Sequence, residues 1–280
     1  MPQPLIELAG DLGAPTLHLA PANGFPPQTY LPMLRLLRGY RCVCLPPRAL
    51  WGDQKPPSEY RDWRSEADDL LSGLNRHDLR KVIAVGHSLG GVVSMLALLK
   101  APERFNALVM LDPPILLPDL LEMIRLAWEE NLVEHIPMVQ MARRRRQIFE
   151  SEAAAFARFR GKRVFADWAD ESLWLYVEHG LRRRAAGDGF ELIWSIDWEA
   201  HYFATVYQDI WADLPKLNGL APSLFIRGED SDTFSREAYH LAQALAPKAD
   251  FQLMPGRGHL FPLAAPAQTA RLVTDWLGAL

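Results

Sequence analysis

The stretch Val82-Ile83-Ala84-Val85-Gly86-His87-Ser88-Leu89-Gly90-Gly91 decides the reading of this 280-residue chain. Its first four residues are apolar without polar alternation, as in a strand buried on both faces. Residues 90–99 are almost wholly apolar too, the composition of a helix packed under a sheet. Between the two runs lies Gly-x-Ser-x-Gly. A serine in that setting sits on a very tight strand-to-helix turn with an unfavourable backbone conformation. Gly86 and Gly90 leave space where side chains would clash, and Gly91 lets the helix approach the sheet. The turn offers the Ser88 hydroxyl beside a helix N-terminus, where backbone N–H groups can meet a developing negative charge.

Outward from this turn, short apolar runs at 16–20, 42–45, 107–111, 223–227 and 251–254 predict further strands. Helical patterns lie between them at 63–75, 235–245 and 268–277. Such alternation predicts an α/β fold, a mostly parallel central sheet flanked by helices. One region breaks the rhythm. Residues 113–207 hold no convincing strand run and are rich in helix formers, Trp, Arg and Glu, with helices expected over 118–130, 137–160 and 166–183. We read a core of residues 1–112 and 208–280, with a helical cap over 113–207 inserted after the strand ending near Asp112.

Composition narrows the class. Hydrophobic residues make up 49% of the chain and charged residues 23%, enough apolar mass for a sizeable core. The net charge of -4 argues against nucleic-acid binding, which wants a basic balance. The run Arg143 to Arg146 does not change this, since consecutive residues spread around a helix; a solvated face of a cap helix is expected there. The first residues, MPQPLIELAGDLGAP, read as neither a signal peptide nor a membrane span. Cys42 and Cys44 lie two apart in one strand, too local for an unstrained bridge, and are expected buried and reduced, in a cytoplasmic protein. No ligand cluster for a metal stands out, and no cofactor is expected.

The segment Gly86-His87-Ser88-Leu89-Gly90-Gly91 resembles the nucleophile elbow of the α/β-hydrolase fold superfamily. The resemblance extends over nearly the whole chain. It takes in the loop Ala22-Asn23-Gly24-Phe25-Pro26, the helical insertion, Arg227-Gly228-Glu229-Asp230-Ser231-Asp232, and the late Gly256-Arg257-Gly258-His259. It implies Ser88 as nucleophile and His259, in a glycine-rich loop after the last strand, as the base. The oxyanion hole would use the backbone N–H groups of Phe25 and Leu89. Many relatives carry His-Gly where this chain has Asn23-Gly24.

The acid has two candidate positions. The usual one follows the strand at 223–227, three residues after a glycine, but the residue three beyond Gly228 is Ser231, flanked by Asp230 and Asp232. The second is Asp112, at the end of the strand after the elbow helix and before Pro113-Pro114. A carboxylate there could orient His259 through Nδ1 and stabilise the imidazolium. Asp112 is preferred, with Asp232 the alternative. Asn23 and Trp51 are weaker substrate-binding candidates, and some of the many cap aromatics are expected to line an apolar pocket.

These features predict an esterase-like serine hydrolase acting on a small-to-medium, fairly apolar acyl substrate through an acyl-enzyme. A carbon–carbon bond hydrolase of ring-cleavage products would share this machinery, and a hydrolase-fold ligand-binding protein without turnover is the contrasting reading. The expected partner is a small acyl compound, with no nucleic acid and no membrane span; a homo-oligomer is compatible with all of this.

Overall fold

The structure is a computed structural model that describes residues 4–52, 55–56 and 59–280. The strands in chain order are β1 (Ile6–Ala9), β2 (Thr16–Ala20), β3 (Arg41–Cys44), β4 (Val82–His87) and β5 (Phe105–Leu111), then β6 (Ile148–Phe149), β7 (Leu181–Arg183) and β8 (Phe190–Leu192), and finally β9 (Ser223–Gly228) and β10 (Asp250–Met254). Seven of them form one sheet in the order β1-β3-β2-β4-β5-β9-β10. Among the described residues only the β1–β3 pairing in it is antiparallel.

The side-chain alternation of a strand supplies two cores at once. Val82 and Ala84 of β4 pack with Val92 and Leu96 of the helix Leu89–Lys100 on one face. Ile83 and Val85 pack with Leu17 and Leu19 of β2 on the other. Each buried Val, Leu or Ile among them contributes roughly 1.5–3 kcal/mol, so the central strands are held from both sides. That double burial is why their sequences lack polar alternation. Cys42 and Cys44 are free thiols, both buried.

The parallel strands share one C-terminal edge, the edge at which open α/β sheets bind ligands. β4 and β5 run in register, with His87 opposite Leu111. β5 and β9 do the same, with Leu111 opposite Ile226. The residues just beyond these strands, Ser88, Asp112 and those following Gly228, are therefore delivered to one place.

The structure departs from the sequence expectations in several places. The edge strand β1 was not foreseen; it is four residues long, pairs on one side only, and lies in the stretch whose first three residues fall outside the described set. The segment between β5 and β9 is not wholly helical either. β6, β8 and β7 form a small antiparallel sheet. The helix expected over 137–160 is two helices, Pro137–Arg143 and Glu152–Arg160, the second started by Ser151, whose side chain accepts from the Ala154 N–H. The third expected helix is Asp170–Gly180, and β7 continues from its end. Strands of two or three residues are too short to show alternation, which is why the sequence pattern missed them.

Candidate active site

Ser88 lies between β4 and the helix Leu89–Lys100 with φ 54° and ψ -124°, a conformation that ordinary side chains avoid. The neighbouring backbone holds it there. The Ser88 N–H donates to the Leu111 carbonyl at 2.9 Å, and its own carbonyl accepts from the Gly91 N–H at 2.9 Å. A Cβ on Gly86 would overlap the Gly90 carbonyl, and one on Gly90 would overlap the Ala20 carbonyl. The glycines are thus needed for close approach, as the motif suggests.

His259 follows β10 on a loop fastened to the loop after β9. The Glu229 N–H donates to the Met254 carbonyl at 3.0 Å, the Asp230 N–H to the Arg257 carbonyl at 2.9 Å, and the Gly256 N–H to Glu229 Oε2 at 2.8 Å. His259 Nε2 lies 3.0 Å from Ser88 Oγ, and its Nδ1 lies 2.7 Å from Asp112 Oδ2. The imidazole edge is still partly open, its side chain 22% exposed, whereas the Asp112 side chain is wholly buried.

The carboxylate of Asp112 collects three donors. Oδ1 accepts from the Gly228 N–H at 2.7 Å, and Oδ2 accepts from the Ser231 hydroxyl and from His259 Nδ1–H. An ionised carboxylate can only accept, so this environment fixes the proton of His259 on Nδ1 and leaves the Nε2 lone pair facing the serine hydroxyl. Asp112 itself takes a positive φ of 46°, and its N–H donates to the Ile226 carbonyl at 2.7 Å. Aspartate tolerates such geometry better than most residues. Asp232, the alternative acid, stands outside this cluster. It is exposed and accepts from Thr233 Oγ1 at 3.4 Å.

Leu89 is the first residue of its helix, so its N–H lies ahead of any intrahelical acceptor. The Phe25 N–H closes a turn on the Ala22 carbonyl at 3.2 Å; to meet an oxyanion it would exchange this long bond for a shorter, charge-assisted one. Asn23 donates through Nδ2 to the Glu199 carbonyl at 3.0 Å, and its Oδ1 is buried without a hydrogen-bond partner among the described residues. Trp51 ties back to its own loop, donating from Nε1 to the Pro46 carbonyl at 2.8 Å.

Several residues around this site had no individual signal in the sequence. The Phe25 ring packs against Trp168 and Tyr176 of the inserted segment, with centroids 5.6 and 5.5 Å apart. Arg145 corrects the reading of the arginine run as a solvated helical face. Its side chain is 13% exposed, paired with Glu199 and bonded to the Tyr176 hydroxyl, hard against Gly24. Arg143 instead pairs with Glu134 and Asp197, and Arg146 donates to the Ile148 carbonyl at 2.7 Å. The run leaves the end of a helix, so its members diverge rather than sharing one face. Its only local clue was the run itself; the partner Glu199 is far along the chain.

Among the described residues no group of three His, Cys, Asp or Glu side chains could hold a metal ion, and no helix is long and apolar enough to cross a membrane.

Residues 19–272 match the alpha/beta hydrolase family. Ethanol acetyltransferase 1 of Hanseniaspora uvarum is 34% identical over 65 residues, a match covering 23% of this chain and only 20% of that protein. In solved structures, an E-2-(acetamidomethylene)succinate hydrolase superposes with a TM-score of 0.77 at 20% identity, covering 96% of this chain and 92% of the other. An esterase of M. tuberculosis superposes with a TM-score of 0.70 at 18% identity, covering 95% and 86%. At these identities the superpositions speak for the fold.

Proposed function

The chain belongs to the alpha/beta hydrolase family, and from that premise we propose that it is a serine hydrolase cleaving ester or related acyl bonds. The observation that carries this reading is the unbroken hydrogen-bonded line from Ser88 Oγ through the His259 ring to the Asp112 carboxylate. In the proposed reaction His259 Nε2 takes the Ser88 proton as Oγ attacks the carbonyl carbon. Asp112 holds the ring in the tautomer that permits this and stabilises the imidazolium that results. The N–H groups of Leu89 and Phe25 receive the oxyanion, each worth roughly 3 kcal/mol of transition-state stabilisation. His259 then protonates the leaving group, and the acyl group remains on Ser88. Water, deprotonated by the same nitrogen, attacks the acyl-enzyme, and that proton passes to Ser88 Oγ as the acid is released.

Residues 113–207 act in this reading as a cap over the catalytic edge. The packing of Trp168 and Tyr176 on Phe25 seats that segment against the oxyanion loop, and the substrate proposed beneath it is a small-to-medium, fairly apolar acyl compound. The local likeness to an ethanol acetyltransferase favours a second outcome from the same acyl-enzyme, in which a small alcohol replaces water as acceptor.

The test is a panel of p-nitrophenyl esters graded by acyl length, run beside a ring-fission diketone and repeated with ethanol added. Turnover of the shorter esters, lost in Ser88→Ala, is expected. A folded protein that hydrolyses no ester would overturn the reading, and one that cleaves the diketone alone would replace it with carbon–carbon bond hydrolysis.

A further inference from the structure

We propose that Tyr30 and His87 are positioning residues, forming a buried one-directional hydrogen-bond relay that keeps the oxyanion loop, the nucleophile turn and the His259 loop in register. The proposal rests on the serine hydrolase reading and adds to it two residues that do not touch the reacting atoms.

The direction of the relay follows from donor and acceptor chemistry. The Ala22 N–H can only donate, and it does so to the Tyr30 hydroxyl oxygen at 3.1 Å. The single tyrosine proton is then free to point at His87 Nδ1, 2.7 Å away. Nδ1 accepts it, so the ring proton of His87 resides on Nε2. That N–H faces the main-chain carbonyl of His259 at 3.0 Å, an atom that can only accept. All three hydrogen bonds therefore run the same way, from the Ala22 N–H to the His259 carbonyl.

The surroundings enforce the arrangement. Tyr30 and His87 are both wholly buried, so no solvent can replace a lost partner, and an unsatisfied group here is costly. Burial holds the His87 imidazole well below its ordinary range, and the proximity of His259 pushes the same way. The two rings are 5.1 Å apart between centroids. A neutral neighbour at that distance does not oppose the charge that His259 acquires when it takes the serine proton.

The geometric consequence is a double grip. Ser88 and His87 are consecutive, and both touch His259. The hydroxyl of Ser88 meets the ring at Nε2, and the imidazole of His87 meets the backbone carbonyl of the same residue. The His259 loop is therefore located by its main chain as well as by its side chain. Tyr30 extends this to Ala22, at the base of the loop that carries Phe25. A small error in the mutual placement of such segments costs far more in rate than in substrate binding.

Two measurements on the full chain test the relay. Nitrogen NMR of histidine-labelled wild-type protein should show His87 neutral with its proton on Nε2; a proton on Nδ1 would overturn the proposal whatever the catalytic activity. For the kinetic arm, Tyr30→Phe should lower kcat on p-nitrophenyl acetate about tenfold with KM within about twofold. His87→Gln, which keeps an N–H for the His259 carbonyl, should retain more kcat than His87→Leu. Folded variants in which kcat is unchanged, or in which Gln and Leu lose it equally, would count against positioning. Failure of the wild type to turn over any ester would instead indict the hydrolase reading, leaving the NMR result to judge the relay.

Discussion

Ser231 donates its hydroxyl hydrogen to Asp112, joining two residues 119 apart in sequence at the ends of adjacent strands. In the proposed reading this relationship accounts for the departure from the usual acid position. The residue three beyond Gly228 is a serine because the carboxylate it faces is supplied by the neighbouring strand. Ser231 Oγ also accepts from the N–H groups of Thr233 and Phe234, at 3.2 and 3.1 Å, so the hydroxyl proton is aimed at the acid. On this basis Asp112→Asn should reduce kcat by about ten-thousand-fold, since an amide nitrogen facing Nδ1 favours the wrong tautomer. Asp232→Asn should leave kcat within about twofold, because a solvent-facing carboxylate does little for a distant ring. Steady-state kinetics on one ester checks both; the reverse ranking would transfer the acid role to Asp232.

The same contact predicts that the acid can be moved. In an Asp112→Asn background, Ser231→Asp places a carboxylate on the other strand end beside the same imidazole. At least about tenfold of the lost kcat should return, a modest part of what a well-oriented acid supplies. No recovery in a folded double variant would mean that Ser231 cannot reach Nδ1 once extended.

Backbone strain at Ser88 predicts a trade of stability against function. Its φ of 54° and ψ of -124° suit glycine and penalise any side chain. Ser88→Gly and Ser88→Ala should both abolish turnover. The glycine variant should nevertheless be the more stable of the two by about 1 kcal/mol, after allowing for the greater freedom of glycine in the unfolded chain. Chemical denaturation of the two variants measures this directly, and an alanine variant as stable as the glycine one would remove the strain argument.

Glu66 predicts a pH effect away from the Ser88–His259–Asp112 line. It is buried, and burial pushes its carboxyl from an ordinary 4.5 up to about 7, against the opposing hydrogen bond from Tyr202. Between those two values the folded protein holds a proton that the unfolded chain has released, so this residue makes stability fall as pH rises through the window. Glu66→Gln removes that contribution. Its melting temperature should therefore improve relative to wild type from pH 5 to pH 7, and parallel melting curves across that range would exclude the effect.

Much of this was legible in the sequence where the constraint is local. The turn around Ser88 announces itself because a tight approach of strand and helix demands glycines at fixed offsets. The doubly buried strands β4, β5 and β9 announce themselves through unbroken apolar runs. Which of Asp112 and Asp232 would stand beside His259 was less accessible, because it depends on how β5 and β9 converge. Arg145 escaped because its partner Glu199 lies on a helix more than fifty residues further on, and charge pairing leaves no periodic trace. Tyr30 and His87 escaped for a similar reason. A tyrosine in a short turn has no signature for a bond to a residue 57 positions away.

The most direct test of the central claim is covalent. Incubation with a fluorophosphonate, followed by peptide mapping, should place one phosphonyl group on Ser88 and abolish ester hydrolysis in proportion to labelling, with Asp112→Asn labelled far more slowly. A folded, ester-hydrolysing protein that carries the label elsewhere, or none at all, would contradict the assignment of Ser88 as nucleophile.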